Sequence, residues 1–477
     1  MPFLSALGPV LDYDDAQHLR RHATTSRWDE SRAHVAGMGG ALSVTGVMDC
    51  GVSPRRLIDA VHDSFVARGG VVLTGTEATR VDVYDDAAVV ECRRWRDPDG
   101  RHRDDDTARL PPPPSVRCRA VLDCTGHFSR FAAHARERRG QRTPWSVAPG
   151  RVSPRGHVVV VGGCLEAPAW PLGNDTADLL ACLGPSDDPR FGQALWEAFP
   201  ADLALAPDRR TVYMFSYVDD HPDRPSLAEY AGRFLEGVAS YQGLAAPPRA
   251  VRFLAGALPC YTDAEGPHVL SEINRVAHVG DASAAHSPLS FGGFGALVRG
   301  LPPLRRRLGA TLRAGRVDAK SLRAGGGYLP ELSAGWLFNR SMALPVERRG
   351  QLPDARVLKV LRLTFSSLRL LQAAGFEAPA RRFLADELRP VPLIALLLLM
   401  GARNPAVAYA AAARAGAATF ARWYAHFLCM CAASAWRACA SALARAWHAA
   451  AQPRRRSHAS APVECGSPTP AGAHLLF

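Results

Sequence analysis

Leu57, Ile58, Val61 and Phe65 fall at helical spacing behind Pro54, a pattern that predicts an amphipathic helix over 54–68 with proline in its first turn. Gly69-Gly70 ends it. The period then changes to two. Val71-Val72-Leu73, Val81 to Tyr84 and Ala87 to Cys92 run or alternate between glycine and Asp-Asp signals, which predicts a β-meander. Residues 93–117 carry Asp-Pro-Asp-Gly, three consecutive Asp and four consecutive Pro, the composition of a hairpin tip or insertion. Strand character resumes at Cys118 to Cys124. Between 155 and 270, strand signals at His157–Val161, Thr211–Tyr217 and Val251–Leu258 are separated by helical or loop stretches such as Pro225–Ala239, and predict a second domain built on an antiparallel sheet. A last strand, Val276–Val279, leads into a glycine-rich turn and a helix. From about 330 onward the chain is predicted helical, ending in an Ala-rich stretch, 402–450, and a polar tail expected to be disordered. There is no internal repeat.

Composition narrows the class without choosing it. With 477 residues, 47% apolar and 21% charged, the chain is an ordinary globular protein of two or three domains. Its 57 Lys+Arg against 45 Asp+Glu leave a surplus of +12, which favours anionic partners. The basic residues are mostly dispersed arginines, with tight runs of three at Arg305-Arg306-Arg307 and Arg454-Arg455-Arg456. No nucleic-acid-binding signature accompanies them, so no nucleic-acid partner is expected. Eleven cysteines without a C-x-x-C pair point to reduced thiols rather than zinc or a disulfide scaffold, and no metal is expected. Cys50, Cys124, Cys164 and Cys260 lie in apolar stretches and are expected to be buried. The first residues show neither the apolar core of a signal peptide nor an Arg/Ser-rich leader, so no targeting segment is expected there. The longest apolar run, Val391–Met400, is half of the roughly 20 residues that span a bilayer, so a spanning helix is not expected.

The strongest chemical signal is His278-Val279-Gly280-Asp281-Ala282-Ser283, followed by Pro288-Leu289-Ser290-Phe291-Gly292-Gly293-Phe294-Gly295. A strand delivering Gly-Asp, then glycines opening a helix, exposes backbone N–H groups at the positive end of a helix dipole. Such a turn lets a flat ring or phosphate approach the backbone. These residues resemble the Gly-Asp motif of the hydroxylase, geranylgeranyl-reductase and lycopene-cyclase flavoproteins. Arg55-x-x-Ile58-Asp59 and Asp123-Cys124-Thr125-Gly126 with Ser129 are similar to two further motifs of that glutathione-reductase-like superfamily. Gly51 to Ile58, Trp196-Glu197-Ala198-Phe199-Pro200, Tyr213-Met214-Phe215 and Ser287 to Gly295 extend the likeness, over about 25–345, to CruA/CruP-type lycopene cyclase-like proteins.

The resemblance implies an α/β fold in which a glutathione-reductase-like FAD-binding domain lacks its first βαβ unit, as in an N-terminally truncated chain. An antiparallel-sheet substrate domain and C-terminal helices complete it. The implied domains are an N-terminal remnant 1–42, FAD-binding parts 43–135 and 273–320, a substrate domain 136–272, a helical region 321–450 and the tail 451–477. FAD is the implied cofactor, held by Arg55, Asp123, Gly126, Gly280, Asp281, Pro288, Gly292, Gly293 and Gly295. No Gly-x-Gly-x-x-Gly unit follows a strand. Gly37-Met38-Gly39-Gly40 and Gly162-Gly163 are weak candidates for it, and without it FAD binding is expected to be severely weakened. Pro302-Pro303 is expected to interrupt the helix after the flavin turn.

The implied activity is lycopene cyclase-like: redox-neutral cyclisation of a carotenoid or other prenyl compound, aided by reduced flavin, in a chloroplast. It needs a proton donor, for which Asp175, Asp178 and Glu272 are the candidates, with Glu166 beside them. His127 and His286 flank the flavin motifs. A FAD- and NAD(P)H-dependent reductase or monooxygenase of the same superfamily is the alternative, as is a non-catalytic paralogue that does not hold FAD. Aromatic and arginine residues on the Ala-rich C-terminal helices suit peripheral membrane contact.

Overall fold

A computed structural model of the chain describes residues 24–94, 115–126, 129, 131, 145–147, 157–201, 206–218, 221–259, 273–283, 293–326, 337–338, 342, 346 and 356–451. The expected insertion tip, Glu272, Pro288, Gly292, His127, His286, Cys260 and the polar tail lie outside the described residues. The chain forms two compact units, residues 1–431 and 432–477.

The largest element of the first unit is a seven-stranded sheet. Its strands are β2 (Glu30–Val35), β3 (Leu42–Val44), β10 (His157–Glu166), β11 (Thr176–Cys182), β12 (Leu195–Pro200), β13 (Arg209–Val218) and β14 (Arg249–Pro259), in the order β14-β10-β13-β12-β11-β2-β3. All neighbours are antiparallel except β2 on β11. The antiparallel sheet expected within 136–272 is therefore present. It is extended at one edge by the hairpin β2–β3, whose first strand lies in the segment expected to be a mere remnant.

Both faces of this sheet are covered, which explains why its strands read as apolar runs rather than clean alternation. One face packs on α2 (Leu227–Gln242), where Val159, Val161, Trp196, Ala198, Val212 and Met214 meet Tyr230, Phe234 and Val238. Ser226 and Glu229 form a capping box at the start of α2, and Gly243 ends it in the left-handed region at φ 65°. The other face carries Val158, Leu180, Leu195, Phe215 and Tyr217 against α5 (Arg356–Ala373), α6 (Ala378–Leu384) and α7 (Pro390–Arg403).

Gly162-Gly163 lies in the middle of β10, not at a strand-to-helix turn. A Cβ at these residues would stand 2.1 Å from the Val212 carbonyl oxygen and 2.0 Å from that of Arg252. These glycines admit neighbouring backbones rather than a phosphate. Gly37 to Gly40 form the β2–β3 turn, with φ of 74° at Gly37 and Gly39. No helix follows, so neither candidate for the missing fingerprint has the required setting.

A four-stranded antiparallel sheet, in the order β7-β6-β5-β9, holds β5 (Thr76–Val83), β6 (Ala88–Arg94), β7 (Ser115–Cys118) and β9 (Trp145–Val147). A parallel pair, β8 (Val121–Asp123) with β15 (Val276–His278), lies close in sequence to it. The helices α3 (Gly293–Arg313) and α4 (Ala319–Gly326) back this pair through Ala277, Leu308 and Leu322. Contrary to expectation, Pro302-Pro303 does not interrupt α3, which runs through them. Two further strands, β1 (Thr24–Arg27) and β4 (Cys50–Val52), pair antiparallel and lead to α1 (Pro54–Ala67).

The helix α8 (Pro405–Ala415) precedes α9 (Ala417–Ala451). Residues 417–447 of α9 are long and apolar enough to cross a membrane by length and composition, and 6% of their most apolar stretch is buried. The length of the apolar Val391–Met400 run had missed this helix, because alanine supplies its apolar character over many residues.

Candidate functional site

The parallel register of β8 and β15 sets Asp123 beside His278, and the amide of Val279 donates to the Asp123 carbonyl at 2.8 Å. Two segments about 155 residues apart in sequence thus end side by side at the carboxyl edge of a parallel pair, where α/β sheets bind ligands. Gly126 and Gly280 turn the chain there with φ of 90° and 64°. A Cβ on either would meet no heavy atom within 4 Å, so these backbones border open space.

Behind the turns lies a buried polar cluster. Asp123 Oδ2 accepts from His278 Nδ1 at 2.7 Å and from Ser129 Oγ at 2.6 Å, while Oδ1 accepts from Thr125 Oγ1 at 2.6 Å and the Thr125 amide at 3.0 Å. Burial works to raise the Asp123 pKa, but the hydrogen bonds from His278, Ser129 and Thr125 outweigh it and hold the carboxyl at about 2. With Asp123 ionised, His278 presents its proton on Nδ1. Its Nε2 is buried without a hydrogen-bond partner among the described residues. Asp123 thus ties the first turn to the second strand.

The other expected residues are dispersed. Arg55 stands exposed at the start of α1 in an i,i+4 pair with Asp59 at 3.2 Å. Gly280 to Ser283 form a single 3₁₀ turn, and Gly293 and Gly295 lie in the first turn of α3. Asp175 is an exposed turn residue whose carbonyl accepts from the amides of Asp29 and Glu30. Asp178 is ion-paired with Arg32 at 3.1 Å and accepts from Tyr241 OH at 3.3 Å. Glu166 is held below its usual pKa by hydrogen bonds from Arg249 and Arg209, the wrong direction for a proton donor at neutral pH. Among the expected buried thiols, Cys124 is exposed and Cys50 and Cys164 are half-buried. Among the described cysteines Cys182 is the buried one, its thiol pushed up to about 12 by burial.

A carboxyl that sequence reasoning passed over stands out. Glu197 lies in mid-sheet on β12, directly opposite Tyr213 of β13. The two-residue period puts Glu197, Phe199 and Tyr213 on the same face as Leu195 and Phe215. Burial, reinforced by the nearby Asp386 carboxylate, pushes Glu197 up to about 8. Burial and then Glu197 raise the Tyr213 phenol to about 12. The Phe199 ring lies 6.1 Å from Tyr213 and stacks on Trp28 at 5.7 Å. The raised pKa holds the proton on Glu197 to a higher pH than on an exposed glutamate, on a sheet face that also carries Phe199 and Tyr213. Its sequence signal was a lone charge at a core-facing position of the apolar run Leu-Trp-Glu-Ala-Phe-Pro.

No protein-family model matches the chain, and no curated protein matches its sequence. Solved structures do. The halogenase PltM, solved in complex with phloroglucinol and FAD, aligns with TM-score 0.52 and 10% identity over 89% of this chain and 87% of its own. A second structure of PltM, with ethyl mercury and mercury, gives 0.52 and 11% over 86% and 85%. The chain has the fold of this halogenase. A geranylgeranyl bacteriochlorophyll reductase-like protein from Thermoplasma acidophilum aligns with TM-score 0.48 and 13% identity over 83% of this chain and 84% of its own.

The parallel pair is packed by α3 and α4 on one side, while apolar side chains near it in sequence stand exposed. The pair is a sheet of two strands, and Leu122 on β8 is 47% exposed. The helix α1 buries none of its residues, leaving Ile58, Val61, Phe65 and Val66 between 45% and 65% exposed. Val71-Val72-Leu73, expected as a strand, is not one, and all three side chains are exposed. Strand propensity alone does not make a strand, which needs a hydrogen-bonding neighbour.

Proposed function

We propose that this protein is a FAD-dependent enzyme that protonates a lipophilic, polyunsaturated substrate of the carotenoid or prenyl type, with Glu197 as the acid. The observation that supports this reading is Glu197 itself, a carboxyl raised to about 8 beside Phe199 and Tyr213. A carboxylic acid that stays neutral at pH 7 donates protons efficiently near that pH.

Of the cofactor site, the turns at Gly126 and Gly280 fit one edge of FAD, because their backbones border open space. Asp281, Pro288, Gly292, Gly293 and Gly295 are proposed to continue that edge, with Arg55 near it. The diphosphate is less well provided for. Among the described residues no parallel strand leads through a glycine-rich turn into a helix beside β8. Bound FAD would supply redox equivalents or, when reduced, negative charge beside a developing cation.

The protein's own part is then a proton cycle. The Glu197 carboxyl holds a proton at neutral pH and releases it to a carbon of a substrate double bond. Phe199 and Tyr213 offer ring faces to the resulting positive charge. The burial that raises Glu197 also limits the access of water to the cation. Transfer of a proton from a neighbouring substrate carbon back to the Glu197 carboxylate restores the double bond and the acid, so the cycle is redox-neutral.

The test supplies reduced FAD and a linear carotene to the purified protein in D2O. Deuterium in a cyclised product without NAD(P)H consumption, and its loss in Glu197→Gln, is the expected result. Substrate-coupled NAD(P)H consumption would replace this reading with a reductase or monooxygenase. Absence of any flavin retention would replace it with a non-catalytic protein.

A further inference from the structure

From Leu388 to Val463 the chain contains no Asp or Glu and nine Arg. The second compact unit begins inside this span, at Ala432, and its described part is the C-terminal half of α9. Here the helix is two-sided. Trp436, Leu443 and Trp447 recur at i, i+7 and i+11, which brings them onto one face. They are 75%, 72% and 74% exposed. Arg437 and Arg445, eight residues apart, lie on another face. Arg437 donates to Ser434 Oγ at 3.4 Å, and Arg445 is exposed. Arg454-Arg455-Arg456 follows at the end of the helix in sequence.

We infer that this half of α9 is an interfacial membrane anchor, which lies in the plane of an anionic lipid surface with Trp436, Leu443 and Trp447 in the acyl boundary. Large apolar side chains so exposed have no reason to stay in water, and two of the three are tryptophan, the residue that favours the headgroup level. The acid-free arginine run complements anionic headgroups, and each arginine near the surface strengthens the attraction. Spanning is disfavoured by the arginines: the longest Arg-free stretch of the helix, 423–436, has 14 residues, against the roughly 20 needed to cross. Trp423 and Met430 in that stretch are already buried in the core of the first unit. An interfacial helix needs only one apolar face, which this one has.

The anchor is tested by flotation of the full chain with vesicles of phosphatidylcholine alone or mixed with phosphatidylglycerol. The protein should float with the mixed vesicles, be released by high salt or alkaline carbonate, and bind phosphatidylcholine at least about tenfold more weakly. Trp436→Ser with Trp447→Ser should weaken binding about tenfold or more, with the melting temperature unchanged because the replaced faces are exposed. Arg437→Glu with Arg445→Glu should abolish the preference for phosphatidylglycerol while leaving the fold intact. Equal flotation of wild type and the Trp variant overturns the inference, as does resistance to carbonate, which would mean a spanning helix. So does failure to float together with a concentration-dependent oligomer that the Trp variant loses, which would mean that the stripe joins copies of this chain.

Discussion

Replacing Glu197 by glutamine isolates the carboxyl on which the proposed chemistry depends. Burial and Asp386 raise its pKa from 4.5 to about 8. Below pH 4.5 both the folded and the unfolded chain hold the proton. As pH climbs toward 8 the unfolded chain releases it while the folded chain retains it. Stability therefore falls by about 1.4 kcal/mol per pH unit, and levels off above about 8. Between pH 6 and 8 the loss attributable to Glu197 is on the order of 2.7 kcal/mol. That figure is a ceiling, because residue 197 keeps partial solvent contact. Glutamine keeps the shape and cannot ionise. Urea denaturation followed by tryptophan emission should show Glu197→Gln gaining on the wild type by up to this amount from pH 6 to 8. Asp386→Asn, which removes the carboxylate that adds to the shift, should reduce the gain. A difference between wild type and Glu197→Gln that stays constant over this range would refute the raised pKa and, with it, the case for Glu197 as the acid.

The Asp123–His278 pair has the opposite sign: the Asp123 pKa is depressed from 3.8 to about 2, so its stabilisation is present above about 4 and is lost as pH falls through 2. Asp123→Asn should cost about 2 kcal/mol at pH 7 and flatten unfolding curves over that acid range, whereas unchanged acid sensitivity would exclude the pair as its source. Gly162→Ala would push a Cβ to 2.1 Å from the Val212 carbonyl and should destabilise the sheet by about 3 kcal/mol or more; a soluble variant of unchanged melting temperature would contradict the register of β10 on β13. Phe65→Ser, on the uncovered face of α1, should change stability by less than about 0.5 kcal/mol while lowering binding of the hydrophobic dye ANS. A large stability loss would show that α1 is covered in solution.

Local order was legible from residue pattern alone. The helix at 54–67, the β5–β6 hairpin across its Asp-Asp turn and the strand at 276–278 all arise from short-range periodicity and turn chemistry, and the structure places them where those signals lie. The turns at Gly126 and Gly280, each just after a strand, were likewise marked by local glycines. Long-range pairing was another matter. Nothing near Glu30–Val35 marks it as a partner of β11 some 145 residues away, and Val71-Val72-Leu73 has every local feature of a strand except the neighbour that would make it one. The acid is the clearest instance. Glu197 looks like any glutamate in a list of charges, while Asp175 and Asp178 look better placed beside turns. Only the pairing of β12 with β13, and the packing of α5 to α7 over that face, reduces the hydration of Glu197 and raises its pKa. Periodicity belongs to neighbouring residues, but desolvation belongs to whatever the tertiary fold brings within a few ångströms.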